Sequence, residues 1–169
     1  IAGRLFGALQ EGRDPNDALT SYEYDPFGRL TKVWRPGQNR YNDSPTVYMT
    51  YTNYAGDTSP FRVQEASRDD LGDGSAVSYL NAWTFYDGLG RVIQTQTESA
   101  DAGRYIGIDT RYNALDKVIS QTLPYSYTAG SVAYQLRDWD VPCARCRQNI
   151  YDGIGQLTTA INPDGTTAR

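Results

Sequence analysis

Cys143-Ala144-Arg145-Cys146 is the only C-x-x-C in the chain. A zinc site needs four ligands, and this pair has no histidine or further cysteine to complete it. A redox motif of this spacing belongs beside a strand–helix–strand unit, which the sequence does not offer. The pair is therefore read as a small loop, free or disulfide-bonded. The sharper alternative is a metal knuckle completed by residues outside this stretch. Asp69, Asp70 and Asp73 fall in a glycine-rich turn and carry calcium-binding oxygens. Their spacing does not fit the Asp-x-Asp-x-Asp-Gly loop, and no glutamate follows in register, so a solvated acidic turn is the preferred reading. Asp138-Trp139-Asp140 sets two carboxylates beside an aromatic ring, as sugar-cleaving sites do. The expectation there is an exposed loop with a buried tryptophan. Asn42-Asp43-Ser44 fits the glycosylation triplet, which has meaning only in a eukaryotic secretory host.

Histidine is absent from the 169 residues. That removes Ser-His-Asp and Cys-His catalysis, histidine-ligated zinc and a charge switch near neutrality. The net charge of −4 gives no electrostatic reason to expect nucleic acid. No run approaches the ~18 apolar residues of a membrane helix. No catalytic residue, metal site or cofactor is expected.

The elements that hold these residues must be sheet. Leu, Ile, Val and Phe make up only about 18% of the chain, a level that can signal disorder. Disorder also requires high net charge and few aromatics, and the chain has 14 tyrosines. The better reading is a sheet protein that uses tyrosine where others use leucine, burying the ring and keeping the hydroxyl wet. All but two of the basic residues, Lys32 and Lys117, are arginines, so Arg–Tyr stacks are expected.

Four segments share one frame: Tyr, then Asp or Asn, two variable residues, Gly or Asp, a long polar residue and an aliphatic. They are Tyr24-Asp25-Pro26-Phe27-Gly28-Arg29-Leu30, Tyr86-Asp87-Gly88-Leu89-Gly90-Arg91-Val92, Tyr112-Asn113-Ala114-Leu115-Asp116-Lys117-Val118 and Tyr151-Asp152-Gly153-Ile154-Gly155-Gln156-Leu157. The steps between the acidic or amide anchors are 62, 26 and 39 residues, which argues for hairpins with loops of varied length rather than a strict solenoid. Asp or Asn at the first position of a type I turn can bond the backbone two residues on. Gly at the fourth position supplies the positive φ that lets such a turn close a hairpin through a bulge. Asp116, where glycine is missing, is one of the few residue types that tolerate that conformation. The tyrosine and the aliphatic then sit on paired strands. Asn162-Pro163-Asp164-Gly165 repeats the grammar, and Pro36-Gly37 marks another turn.

Between the frames, residues 45–54 and 61–67 read as paired strands across a turn at 55–60, and 76–86 as a long strand. Residues 69–75 and 99–103 read as loops, and 126–147 as the most irregular stretch. Residues 5–19 could make a helical turn, but the repeat alignment favours a strand at their start. Ile1-Ala2-Gly3-Arg4-Leu5 aligns with Pro26 to Leu30, and Thr166 to Arg169 leads toward a further tyrosine. The expectation is one repeat region, residues 1–169, cut at both ends from a longer array.

These frames resemble the YD repeat of the RHS family, with Gln156 in place of arginine in the fourth copy and Asn113 and Asp116 making the third degenerate. The resemblance implies an all-β array of antiparallel hairpins forming part of a spiralling β-ribbon shell. In bacterial relatives, including the B and C components of insecticidal toxin complexes, such a shell encloses a toxic C-terminal domain. Animal teneurins resemble the family too and use the shell in adhesion. It further implies a secreted or cell-surface setting, with neighbouring repeats of the same polypeptide and an enclosed C-terminal toxin domain as partners. The self-cleaving core segment of some members has no match here, so no protease role is carried over. The alternative is an adhesion or carbohydrate-binding module acting on cell-surface glycans.

Overall fold

A computed structural model describes residues 4–5, 7–52, 60–69, 77–139, 143 and 145–168. Among them there is no helix. The described residues form fifteen strands: β1 (Arg4–Leu5), β2 (Ala8–Leu9), β3 (Glu11–Arg13), β4 (Leu19–Tyr24), β5 (Leu30–Trp34), β6 (Val47–Thr52), β7 (Phe61–Arg68), β8 (Tyr79–Tyr86), β9 (Val92–Glu98), β10 (Arg104–Tyr112), β11 (Val118–Thr122), β12 (Tyr125–Thr128), β13 (Cys146–Tyr151), β14 (Leu157–Ile161) and β15 (Thr167–Ala168). Every pairing with a resolved register is antiparallel. The all-β architecture thus follows the alternation and turn chemistry of the sequence.

Two units are distinguishable, Ile1–Thr52 with Val63–Ala82, and Asn53–Arg62 with Trp83–Arg169. In the first unit the strand order is β3-β4-β5-β6-β7-β8, and β1 pairs separately with β2. Ser21 and Trp34 face each other across β4 and β5 and are both buried. Trp34 Nε1 donates to the Asp43 carbonyl at 2.9 Å, so the loop after Pro36-Gly37 closes over the indole. Gly37, at φ 90°, takes the left-handed position of that turn, and Gln38 N–H donates back to the Arg35 carbonyl.

In the second unit the order is β8-β9-β10-β11-β13-β14-β15. β12 also pairs with β10. Strand β10 is long enough to hold two partners on one edge, β11 at Thr110–Tyr112 and β12 at Arg104–Gly107. Leu123-Pro124 separates those partners, and proline has no N–H to give to a ladder. Residues 126–128 are therefore strand, and the irregular stretch begins only at residue 129. On one face of this sheet Gln94, Gln96 and Asp109 are buried under residues 132–137, which have no regular structure.

Several expectations read differently here. Ile1–Gly3, the first part of the copy aligned with Pro26–Leu30, lies outside the described residues. Arg4–Leu5 opens a hairpin whose left-handed glycine is Gly7, with Arg4 opposite Leu9. Most of the 55–60 turn and the acidic residues Asp70 and Asp73 are also outside the described residues, as is Asp140. Trp139 is half-buried rather than buried, with the Arg137 guanidinium 5.4 Å from its ring centroid. Cys143 and Cys146 are joined in a disulfide.

Candidate functional site

The four frame turns are built alike. Asp25 N–H donates to the Arg29 carbonyl and Gly28 N–H to the Asp25 carbonyl, both at 2.9 Å. Asp25 Oδ1 accepts the N–H groups of Phe27 and Arg29, each at 2.9 Å, and Oδ2 accepts Arg29 Nε at 2.6 Å. Asp87 does the same for Leu89, Arg91 and the Arg91 guanidinium. In the third turn Asn113 Oδ1 accepts Leu115 and Lys117 N–H. In the fourth, Asp152 Oδ1 accepts Ile154 and Gln156 N–H. The side-chain oxygen is thus the common element, and the ion pair belongs to the first two turns alone. Gly28, Gly90, Asp116 and Gly155 stand at φ 79°, 79°, 58° and 82°. The one-residue slip this creates appears as a bulge pairing Tyr24 with Leu30, Tyr112 with Val118 and Tyr151 with Leu157.

Successive hairpins are then tied to one another. Tyr112 Oη donates to the Val92 carbonyl at 2.9 Å, and Tyr151 Oη to the Val118 carbonyl at 3.0 Å. In each case the acceptor is the aliphatic residue that leaves the preceding turn. Tyr51 makes the same bond to the Leu30 carbonyl, and Tyr24 to that of Leu9. The arginine of the turn lies on a tyrosine of a later strand: Arg29 is 4.3 Å from the Tyr51 centroid, and Arg91 is 4.8 Å from that of Tyr112. Arg91 also reaches Asp116 of the next turn at 2.7 Å. Lys117, in the arginine position of the third turn, packs on Gly155 of the fourth, where a Cβ would come 3.5 Å from Lys117 Cε. Tyr86 instead packs its ring 5.8 Å from that of Phe61.

Two participants escape a search keyed on Tyr-Asp. Asp14-Pro15-Asn16-Asp17 is a turn of the same build. Asp14 Oδ1 accepts Asn16 and Ala18 N–H, and Asp17 takes the left-handed position at φ 62°. Its signal is the Asp-Pro shared with Asp25-Pro26 and an aspartate in the place Asp116 occupies, but no tyrosine precedes it. Tyr51 is the other, because Thr52 stands after it where the frame expects Asp or Asn.

Burial acts to raise the carboxyls of Asp25 and Asp87. The Arg29 or Arg91 backbone N–H and guanidinium, with the Phe27 or Leu89 N–H, outweigh it and hold both below the usual carboxylate value. Arg91 is held above its usual value by its bond to Asp87, against burial and with help from Asp116. These carboxylates are occupied by their own turns, so they offer no free general base. The geometry is mechanical: it locks each bend and links it to the next.

A second cluster sits on the covered face of the second unit, and no motif announced it. Gln94 Nε2 donates to Asp109 Oδ1 and to the Gln135 carbonyl, while Gln135 N–H returns to Gln94 Oε1 at 3.0 Å. Gln96 Nε2 donates to Gln94 Oε1 and to the Ala133 carbonyl. Asp109 also accepts Tyr125 Oη at 3.1 Å and Arg137 Nη1 at 3.4 Å. Gly107 makes this possible, since a Cβ there would lie 2.8 Å from Tyr125 Cζ. Tyr105 stacks on Tyr127 at 5.6 Å, and Phe85 packs against Tyr134 at 5.8 Å. Burial, with the charge of Asp109, raises the Tyr125 hydroxyl well above its usual value. Burial, then Tyr105 and Asp109, pushes Tyr127 up to about 12.

Among the described residues no group of three or more His, Cys, Asp or Glu could hold a metal ion, and no helix is long and apolar enough to cross a membrane. Asp69 is an exposed residue whose N–H donates to the Ser78 carbonyl. No curated protein matches the chain. Residues 6–39, which hold the Asp14 turn and the whole first frame, match the RHS Repeat family model. That match, with the same clamp recurring at residues 86–92, 112–118 and 151–157, supports membership of the RHS/YD-repeat family.

Proposed function

We propose that this chain is one repeat region of a longer array and forms part of the wall of a β-ribbon shell. The shell encloses a toxin or other C-terminal cargo of the same polypeptide, in a secreted or surface protein. The observation that carries the reading is the link between hairpins: a frame's aliphatic carbonyl is taken by a tyrosine hydroxyl of a later strand. A bond of this kind adds one hairpin to the next without limit, which is what a wall requires, and it involves no reactive group. The test is limited proteolysis of the parent polypeptide, with a protease site introduced into its C-terminal segment. The site stays uncut while the repeats are intact and is cut once a break is engineered into the 152–156 turn. Equal cutting in both states rejects enclosure.

A second reading, glycan binding in adhesion, is favoured by one feature of the first unit. A cavity of about 190 Å³ is lined by Glu11, Leu19, Ser21, Gln38, Asn39, Arg40 and Tyr41. Tyr41 is 80% exposed, with Arg40 4.9 Å from its ring centroid. An open ring beside carboxylate, amide and guanidinium groups suits one sugar residue. Calorimetry with monosaccharides decides it: binding that disappears in Tyr41→Ala supports this reading, and no heat with any sugar removes it.

A further inference from the structure

We propose that the Cys143–Cys146 disulfide is a site of thiol–disulfide exchange with low-molecular-weight thiols, entered at Cys143 and favoured in its reduced form by Arg137. Three observations converge. The two cysteines are unequally exposed, Cys143 being half-buried and Cys146 only 3% exposed at the start of β13. Arg137 Nη2 lies 3.1 Å from Cys143 Sγ. The bond spans a sequence separation of three, so it closes a very short loop. A loop this short removes little chain entropy, so opening it disturbs the fold far less than opening a long-range bridge. Strand β13 is held independently by its ladders to β11 and β14.

The chemistry balances with two equivalents of thiol. A small-molecule thiolate attacks Cys143 Sγ, the bond between the two cysteines breaks, and its electron pair leaves on Cys146, which takes up a proton. A second thiolate attacks the small-molecule sulfur of the mixed disulfide. The bond to Cys143 breaks, the oxidised small-molecule disulfide departs, and Cys143 is left as a thiolate beside the Arg137 guanidinium. One protein disulfide is reduced to one thiol, Cys146, and one thiolate, Cys143, while two small-molecule thiolates become one disulfide. A guanidinium against a sulfur favours its thiolate. Arg137 is positioned for this by its bond to Asp109, and it is the one cation the structure sets against Cys143 among the described contacts. Asp109 and the exposed Asp138 are the anions nearest it in space or sequence, and Tyr125, bonded to Asp109, is the neighbouring titratable hydroxyl.

The test equilibrates the whole chain in glutathione buffers and follows each cysteine by alkylation and peptide mass spectrometry. In the reduced chain Cys143 is expected to alkylate about tenfold faster than Cys146 at neutral pH. Arg137→Gln is expected to slow Cys143 about fivefold and to require a correspondingly more reducing buffer at the midpoint, whereas Arg137→Lys keeps most of the rate. Because Arg137→Gln strips Asp109 of its cation, the double variant Asp109→Asn with Arg137→Gln is measured beside it. The same loss of Cys143 reactivity in the double variant assigns the effect to the guanidinium. Equal reactivity of the two cysteines overturns the proposal. So does a midpoint that ignores Arg137, or a bond that resists excess glutathione in the folded chain. None of these outcomes depends on whether the repeats enclose a cargo.

Discussion

The repeat turns and the covered face of the second unit hold their polar groups in opposite ways. At each turn one side-chain oxygen serves N–H groups two and four residues further along, so the bonds that close the bend are local and partly wet. On the covered face Gln94, 0% exposed, joins residues 15 and 41 positions away and has no water to fall back on. Local, solvated bonds tolerate substitution: glutamine replaces arginine in the fourth turn and asparagine replaces aspartate in the third, and the bend survives. A buried network has no such latitude, because removing one member leaves the others desolvated and unpaired.

The sharpest way to break that contrast is Asp109→Leu. It strands Gln94, Tyr125 and Arg137 together, and a loss of about 3 kcal/mol is expected in urea unfolding. A midpoint equal to that of the unmodified chain would show that the covering segment is not anchored there.

Alkali should act next, and on the same region. Tyr125 and Tyr127 are raised in the folded state. Their contribution is therefore complete below the ordinary tyrosine value near ~10 and is lost as pH climbs through the raised values. Thermal melts from pH 9 to 12 should fall earlier in the covered face, read by Tyr absorbance, than in the turns. The turns answer to acid instead. Asp25 and Asp87 are lowered when folded, so what they add is present above the usual carboxylate value near ~3.9 and disappears as pH falls below it.

Asp87→Ala should lose about 1.5 kcal/mol, since two N–H groups and the Arg91 ion pair go at once. Asp87→Asn should lose less than half of that, because Asn113 already shows an amide oxygen doing the same work. If the two variants melt together, the ion pair outweighs the turn bonds and the frame is held by charge. Tyr112→Phe removes only the hydroxyl on the Val92 carbonyl and should cost about 1 kcal/mol. The smallest effect belongs to Leu89→Thr: the side chain is 74% exposed at the turn tip, and a change within about 0.5 kcal/mol is expected.

The division between legible and hidden runs along the same line. Asp25, Gly28, Arg29 and their counterparts are readable because turn chemistry couples residues within five positions, and a short pattern carries it. Asp116 is readable as a left-handed stand-in for glycine for the same reason. The Asp14 turn has the same local chemistry but lacks the tyrosine that marks the frame. Tyr51 is hidden, because its partners Arg29 and Leu30 come from a different hairpin across a loop of arbitrary length.

Nothing in Gln94-Thr95-Gln96, a plain polar stretch, says that both amides lie in the interior. That depends on where residues 133–137 come to rest, a matter of how an irregular segment packs on a sheet face. Bends and strand alternation are properties of neighbouring residues and are written along the chain. Which face is covered, which hydroxyl meets which carbonyl and which arginine lies against Cys143 depend on contacts between distant residues, and short-range residue patterns do not encode them.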